Sequence, residues 1–165
     1  MKTMPVALAI VLFLGSNSPA QKRLTTIRAT MFGNNNITSV GLSFYYREIG
    51  ITKSLEMRDE KTGKPWFNCP SIIWRAIGRA ALLCGKYDPS FGRQTIDTFP
   101  NQNRDKRYPT VAVQVSAPYN EPGVGFVLRD RAGDAKIIMQ LTPEQAYTLS
   151  IVLASETGDL QEYTK

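Results

Sequence analysis

Residues 123–158, GVGFVLRDRAGDAKIIMQLTPEQAYTLSIVLASETG, contain the clearest local structural pattern in the chain. Apolar residues occupy alternate positions on both sides of a polar turn at 130–134. They are Val124, Phe126 and Leu128 before the turn and Ile137, Met139 and Leu141 after it. A period of two predicts two strands, each with one buried face, joined as a hairpin.

A helix is predicted directly after this hairpin. Thr142 is a favourable N-cap residue, Pro143 suits the first helical position, and Gln145 completes a capping box. Gly158 predicts the end of the helix. The stretch is therefore predicted to fold as a hairpin followed by a helix.

The same order of signals occurs once earlier in the chain. Residues 51–58 alternate, residues 59–64 form a polar turn, and a short apolar run at 66–67 follows. Pro70 then opens a second predicted helix, which ends at Gly85. Two interpretations remain open: internal duplication of a hairpin-and-helix unit, or chance recurrence of an ordinary α+β pattern.

Further alternating segments complete the predicted sheet. Strands are predicted over 24–32, over 40–47 and over 110–117. We therefore expect an α+β fold, with an antiparallel sheet covered on one side by two helices. Residues 31–165 form one predicted domain, whose halves (about 37–85 and 110–158) are joined by residues 86–109, where Pro and Gly interrupt the periodicity.

Residues 1–30 are apolar and then basic. They carry four of the basic residues and no acid, so the rest of the chain, with 16 basic and 14 acidic residues, is nearly neutral. The apolar run at 6–15, followed by small residues up to Ala20, predicts either a signal peptide cleaved after Ala20 or a buried first strand. The run is too short to span a bilayer.

The two cysteines favour a reducing compartment. Cys69 and Cys84 flank the first predicted helix, which would separate them by about 22 Å. A disulfide requires Cα atoms within about 7 Å. Two free thiols favour a cytoplasmic protein, with secretion or export to the periplasm as the alternative.

The composition argues against the common catalytic and metal sites. Histidine is absent, which removes the usual general base and most zinc sites. The two cysteines do not form a Cys-x-x-Cys pair, and no phosphate-binding glycine motif occurs. We predict a protein that is not an enzyme and that requires no metal or cofactor.

The strand over 40–47 carries the first candidate binding residues. Its alternation places Tyr45 and Arg47 on the face opposite the core, where a ring and a guanidinium can hold a base and a phosphate. In the alternative interpretation, Tyr45 packs on a neighbouring strand and Arg47 pairs with Glu48 or Glu56.

The second half of the chain resembles a known family. The strand series from Val111, the Ile138–Gln145 sequence IMQLTPEQ and the helix to Ser155 are similar to the single-stranded DNA-binding unit of the transcriptional coactivator positive cofactor 4. A tandem copy of that unit is similar to the Whirly arrangement. In that family, nucleic acid lies across the exposed strands.

The resemblance implies contacts at basic and aromatic residues of the strands, with a basic rim from the connecting segment. The implied strand contacts are Tyr45, Arg47, Lys53, Arg129 and Lys136, and the implied rim residues are Arg104, Lys106 and Arg107. The predicted partner is single-stranded DNA or RNA. The alternatives are an exported protein-interaction domain and a small inhibitor or regulator of a nucleic-acid enzyme. A homo-oligomer and a protein partner both remain open.

Overall fold

A computed structural model describes residues 20–33, 35–103, 106–118 and 120–160. The apolar run at 6–15, predicted to be a signal peptide or a first strand, lies outside the described residues. Among the described helices, none is long and apolar enough to cross a membrane.

The first half of the chain forms four strands and a helix. The strands are β1 (Ala20–Gly33), β2 (Asn36–Ile49), β3 (Thr52–Asp59) and β4 (Pro65–Pro70), and the helix is α1 (Ile73–Cys84). Each strand is antiparallel to the next. The predicted strands over 24–32 and 40–47 are confirmed, and each extends further than its apolar alternation.

The second half repeats this order. Its strands are β5 (Gln94–Pro100), β6 (Thr110–Ser116), β7 (Gly123–Arg129) and β8 (Ala135–Leu141), and its helix is α2 (Pro143–Thr157). The predicted capping box is confirmed: the Thr142 hydroxyl accepts from the Gln145 amide, and the Gln145 side chain accepts from the Thr142 amide. Gly158 ends α2 in the left-handed conformation, at φ 83°.

All eight strands belong to one antiparallel sheet with the order β4-β3-β2-β1-β8-β7-β6-β5. β1 joins the halves because it pairs with both β2 and β8. The two ends of the sheet also approach each other, since the amide of Gln102, just after β5, donates to the carbonyl of Asn68 in β4 at 2.8 Å. The predicted α+β class, with an antiparallel sheet and two helices, is confirmed.

The hydrophobic core lies on the inner side of this curved sheet. The ring centroid of Phe126 in β7 lies 6.0 Å from that of Phe44 in β2 and 5.3 Å from that of Phe67 in β4. The helices contact each other, and α1 also contacts β5, β6 and β7. One core therefore includes both halves.

Two expectations about the middle of the chain are wrong. Residues 86–109 were expected to connect the halves without regular structure, but they contain β5, which pairs with β6 through backbone hydrogen bonds that the interrupted apolar pattern does not reveal. The first helix begins at Ile73, not at Pro70, because Pro70 is still paired with Ser54 at the end of β4.

Cys69 therefore lies in a strand, whereas Cys84 ends α1. Both thiols are buried and free, as predicted, but the helix that was expected to separate them does not include Cys69.

Candidate nucleic-acid interface

The outer face of β1–β4 is the side of these strands that is turned away from the core. Strand alternation and register place the following residues there: Arg23, Thr26, Arg28, Ser43, Tyr45, Arg47, Glu56, Arg58 and Asn68. Glu60 joins them because its side chain lies over Gly41 of β2. Four arginines against two glutamates give this face a net positive charge.

A buried carboxylate organises two of the arginines. The side chain of Glu56 is 6% exposed, and its Oε2 accepts from Arg47 Nη1 at 2.8 Å. Its other oxygen, Oε1, accepts from Arg58 Nε. Because one carboxylate neutralises only one of the two guanidinium groups, the cluster keeps a positive charge. Both arginines remain partly exposed, by 25% for Arg47 and 32% for Arg58.

Tyr45 lies beside this cluster. It is the cross-strand partner of Glu56, and the guanidinium carbon of Arg58 lies 4.9 Å from the centroid of its ring. A cation in this position is attracted by the ring face. The aromatic ring, the guanidinium plane and the carboxylate thus form one connected group on the outer face.

A second polar group extends the face across β1. Arg23 donates to the hydroxyl of Thr26 and, at 3.4 Å, to that of Ser43. The two hydroxyl oxygens are 3.2 Å apart. Further along β1, Arg28 donates to the Ser39 hydroxyl at 3.4 Å. These arginines bond to neutral groups, so their charges are not neutralised by those contacts.

Within the part of the chain that the structure describes, two buried polar atoms of the outer face have no hydrogen-bond partner: Arg47 Nε and Asn68 Oδ1. Asn68 is the cross-strand partner of Glu56, so both atoms belong to residues next to the carboxylate. A buried polar atom without a partner costs about 1–3 kcal/mol. Such atoms call for a functional or structural explanation.

The corresponding face of the second half has a different character. Ala112 of β6 and Val127 of β7 are buried there and uncharged, and Gln114 is 2% exposed. The side chains of Gln114 and Ile138 lie close over Gly125, within about 3.4 Å of the position that a Cβ would occupy. Within the described residues, the strongly basic outer surface is confined to the first half.

The structure separates the residues that the sequence predicted as one interface. Tyr45 and Arg47 lie together on the outer face, and Arg47 does pair with Glu56. Lys53 lies on the opposite side of β3, where its amine donates to the Thr157 carbonyl of α2 at 3.2 Å. Arg104 lies outside the described residues.

The remaining predicted residues lie at another end of the molecule. Arg129 donates to the Gly133 carbonyl at 2.9 Å within the β7–β8 turn. Lys136 pairs with Asp130 at 3.3 Å. Lys106 and Arg107 border a depression that Asp130 also lines. These four cations therefore surround the β7–β8 turn and do not extend the outer face of β1–β4.

Sequence reasoning missed Arg23, Arg28 and Arg58. Arg58 was recognisable in principle, since it follows Glu56 by two positions in the same alternating strand and faces Ser43 across the β2–β3 pair. Arg23 was obscured by a bulge between Arg23 and Thr25, which shifts the phase of the alternation.

No protein-family model, curated protein or solved structure matches this chain. Its function is therefore inferred from the geometry of the site.

Proposed function

We propose that this protein binds single-stranded nucleic acid without catalysing a reaction, and that the strand lies across the outer face of β1–β4. The observation that carries the proposal is the Arg47–Glu56–Arg58 cluster beside Tyr45. It combines an aromatic ring with an excess of guanidinium charge on an exposed sheet, which are the two elements used to hold single strands.

The arginines would contact phosphates. Glu56 fixes the positions of Arg47 and Arg58 but neutralises only one of their two charges, and Arg23 and Arg28 are bound to hydroxyl groups. Arginine is well suited to this task because its planar guanidinium donates two parallel hydrogen bonds to phosphate oxygens. The side chains of Arg47 and Arg58 are 25% and 32% exposed, which leaves part of each guanidinium group open to a phosphate.

Tyr45 would stack on a base. Stacking requires the base face to be accessible, which is the case in a single strand and not in a duplex. Arg58 already lies against the Tyr45 ring, so a base would contact both planes. Stacking tolerates any base, and we therefore expect little sequence preference.

The order of elements supports the resemblance to a tandem single-stranded DNA-binding unit. Four strands followed by a helix occur twice along the chain. We include an origin by internal duplication in the proposal. The centre of the outer face of the second half, at Ala112, Gln114 and Val127, is buried and uncharged, so the proposed binding surface belongs to the first copy alone.

The proposal is tested by fluorescence anisotropy with labelled 20-nucleotide oligo(dT) and oligo(rU), titrated at several salt concentrations. Release of counterions from two to four phosphates predicts that log Kobs falls with log[salt] with a slope of about −1.4 to −2.8. A duplex of the same length should bind more weakly, since it offers no base to Tyr45.

Tyr45→Ala should weaken binding to the single strand by about 1–3 kcal/mol, or roughly 5- to 150-fold, because a stacked base is lost. Tyr45→Phe keeps the ring and should bind as the wild type does. Arg79→Gln removes one positive charge from the exposed surface of α1 and provides the control for non-specific attraction. Unchanged affinity in folded Tyr45→Ala would refute the proposed site.

A further inference from the structure

A separate surface of the protein differs in composition from the Arg47–Glu56–Arg58 cluster. It is a cleft of about 510 Å³ between the β1–β2 turn, β4, the segment after β5, and the β7–β8 turn. Its volume falls within the range of about 300–1,000 Å³ that is usual for small-molecule sites. Its lining includes Met31, Trp66, Arg107, Tyr108, Asp130, Lys136 and Ile137.

The inner part of the cleft is apolar and aromatic. Trp66, Tyr108, Met31 and Ile137 are partly buried and pack against the hydrophobic core. Core packing fixes the positions of both rings, so a planar ligand would meet a surface that is already formed. Preorganisation of this kind lowers the entropic cost of binding.

Trp66 also supplies an unused hydrogen-bond donor. Its indole Nε1 is buried, and no acceptor for it lies among the described residues. Tryptophan N–H groups usually find a partner when they are buried. An acceptor atom on a ligand in the cleft would supply that partner, whereas a purely aliphatic ligand would leave the donor unsatisfied.

The rim of the cleft is basic. Arg107 lies over the Tyr108 ring, with its guanidinium carbon 5.7 Å from the ring centroid, and Lys136 is 43% exposed in its side chain. Asp130 pairs with Lys136 at 3.3 Å and also accepts from the backbone amides of Ala132 and Asp134. These amide hydrogen bonds, the one from Asp134 first, hold the pKa of Asp130 below its usual value, so it is ionised at neutral pH.

We propose that this cleft binds a nucleoside monophosphate unit. The heterocycle lies against Trp66 and Tyr108 and accepts a hydrogen bond from Trp66 Nε1, and the phosphate lies at Arg107 and Lys136. A nucleotide combines the three properties that the cleft selects: a planar ring, a ring acceptor and an attached anion. The unit is either a free nucleotide or the phosphorylated end of a strand, which share this chemistry.

Isothermal titration calorimetry with adenosine 5′-monophosphate tests the site, with adenosine and inorganic phosphate as partial ligands. We expect the monophosphate to bind at least about tenfold more tightly than either part, since both the ring and the anion contribute. Trp66→Phe keeps a ring but removes the donor, and should weaken binding by about three- to tenfold. Lys136→Gln should weaken binding of the monophosphate but not of adenosine.

Asp130→Asn should strengthen binding of the monophosphate, the opposite of the effect expected for Lys136→Gln. Asparagine keeps the side-chain oxygen that accepts the turn amides but removes the charge that competes for Lys136. We expect the monophosphate to bind about two- to fivefold more tightly. Arg79→Gln, on the exposed surface of α1, is the matched control and should leave the affinity unchanged.

The source of the ligand is distinguished by a short oligonucleotide with and without a 5′-phosphate. Affinity that depends on both the 5′-phosphate and Trp66 identifies a strand end, and binding of the free monophosphate alone identifies a free nucleotide. The inference is overturned if neither ligand shows an affinity that Trp66→Phe reduces. The inference is independent of the proposed function because Tyr45 does not line the cleft. Tyr45→Ala should therefore leave binding of the monophosphate unchanged.

Discussion

Replacement of Glu56 by Gln is the most direct test of the carboxylate at the centre of the outer face. The side chain is 6% exposed and accepts charge-assisted hydrogen bonds from two arginines. Glutamine has nearly the same shape but no charge, and only one of its two terminal atoms can accept a hydrogen bond. One arginine therefore keeps a neutral acceptor, while the other faces an NH₂ group that cannot accept.

The magnitude follows from these contacts. A hydrogen bond to a charged group contributes about 1.5–3 kcal/mol. Glu56→Gln removes one such bond and weakens the second, but Arg47 and Arg58 are one-quarter to one-third exposed and regain hydration. We therefore expect the free energy of unfolding to fall by about 2 kcal/mol, which is less than the roughly 3–6 kcal/mol that complete loss of both bonds would give.

Urea unfolding at pH 7, followed by circular dichroism, measures this change. Glu60→Gln is the matched control, because it makes the same chemical change at an exposed glutamate on the same face. Surface substitutions of this kind usually alter stability by less than about 0.5 kcal/mol. If both variants change stability by the same small amount, the carboxylate does not organise the two arginines and the description of the cluster is wrong.

Three further predictions concern the core. Phe126→Ala removes the ring that contacts Phe44 and Phe67 of the other half, and should lower the free energy of unfolding by about 3–5 kcal/mol. Urea unfolding of this variant should still show one transition. Two separate transitions would contradict a core shared by both halves. Burial raises the pKa of Cys84 to about 11 and also raises that of Cys69. Neither thiol should therefore react with Ellman's reagent at pH 8 in the folded protein, whereas both should react in urea. Burial, with Glu48 nearby, also raises the pKa of Tyr46 to about 12. These three groups bind protons more tightly in the folded protein than in the unfolded protein. Their contribution to the free energy of unfolding is therefore fully present below the unfolded pKa values and is lost as pH rises. Stability should decline above about pH 9. Cys84→Ala should reduce that decline, and an unchanged pH dependence in this variant would exclude the thiol as its source.

Local patterns sufficed for much of the fold. The Thr142, Pro143 and Gln145 residues fix the start of α2, because a capping box depends only on neighbours along the chain. The alternation in β2 correctly separates Leu42, Phe44 and Tyr46 from Tyr45 and Arg47. β5 was missed because its residues are mostly exposed, so its stability comes from backbone pairing with β6 and not from an apolar pattern.

The candidate site was only partly predictable. Tyr45 and Arg47 were found because they lie two residues apart in one strand, and alternation alone places them on one face. Arg58 joins them only through the antiparallel register of β2 and β3, and Arg23 only through the bulge in β1. Lys53, Arg129 and Lys136 were grouped with them because the sequence shows charge but not direction.

The sequence alone establishes the strands with alternating apolar residues and the capped helix α2, since each depends on neighbours within a few residues. Tertiary structure establishes which charges meet. The order β4-β3-β2-β1-β8-β7-β6-β5 puts four arginines and Tyr45 on one outer face and moves Lys136 and Arg107 to the rim of a separate cleft. Strand order and register arise from burial of one core shared by both halves, and contacts between residues distant in sequence leave no local pattern.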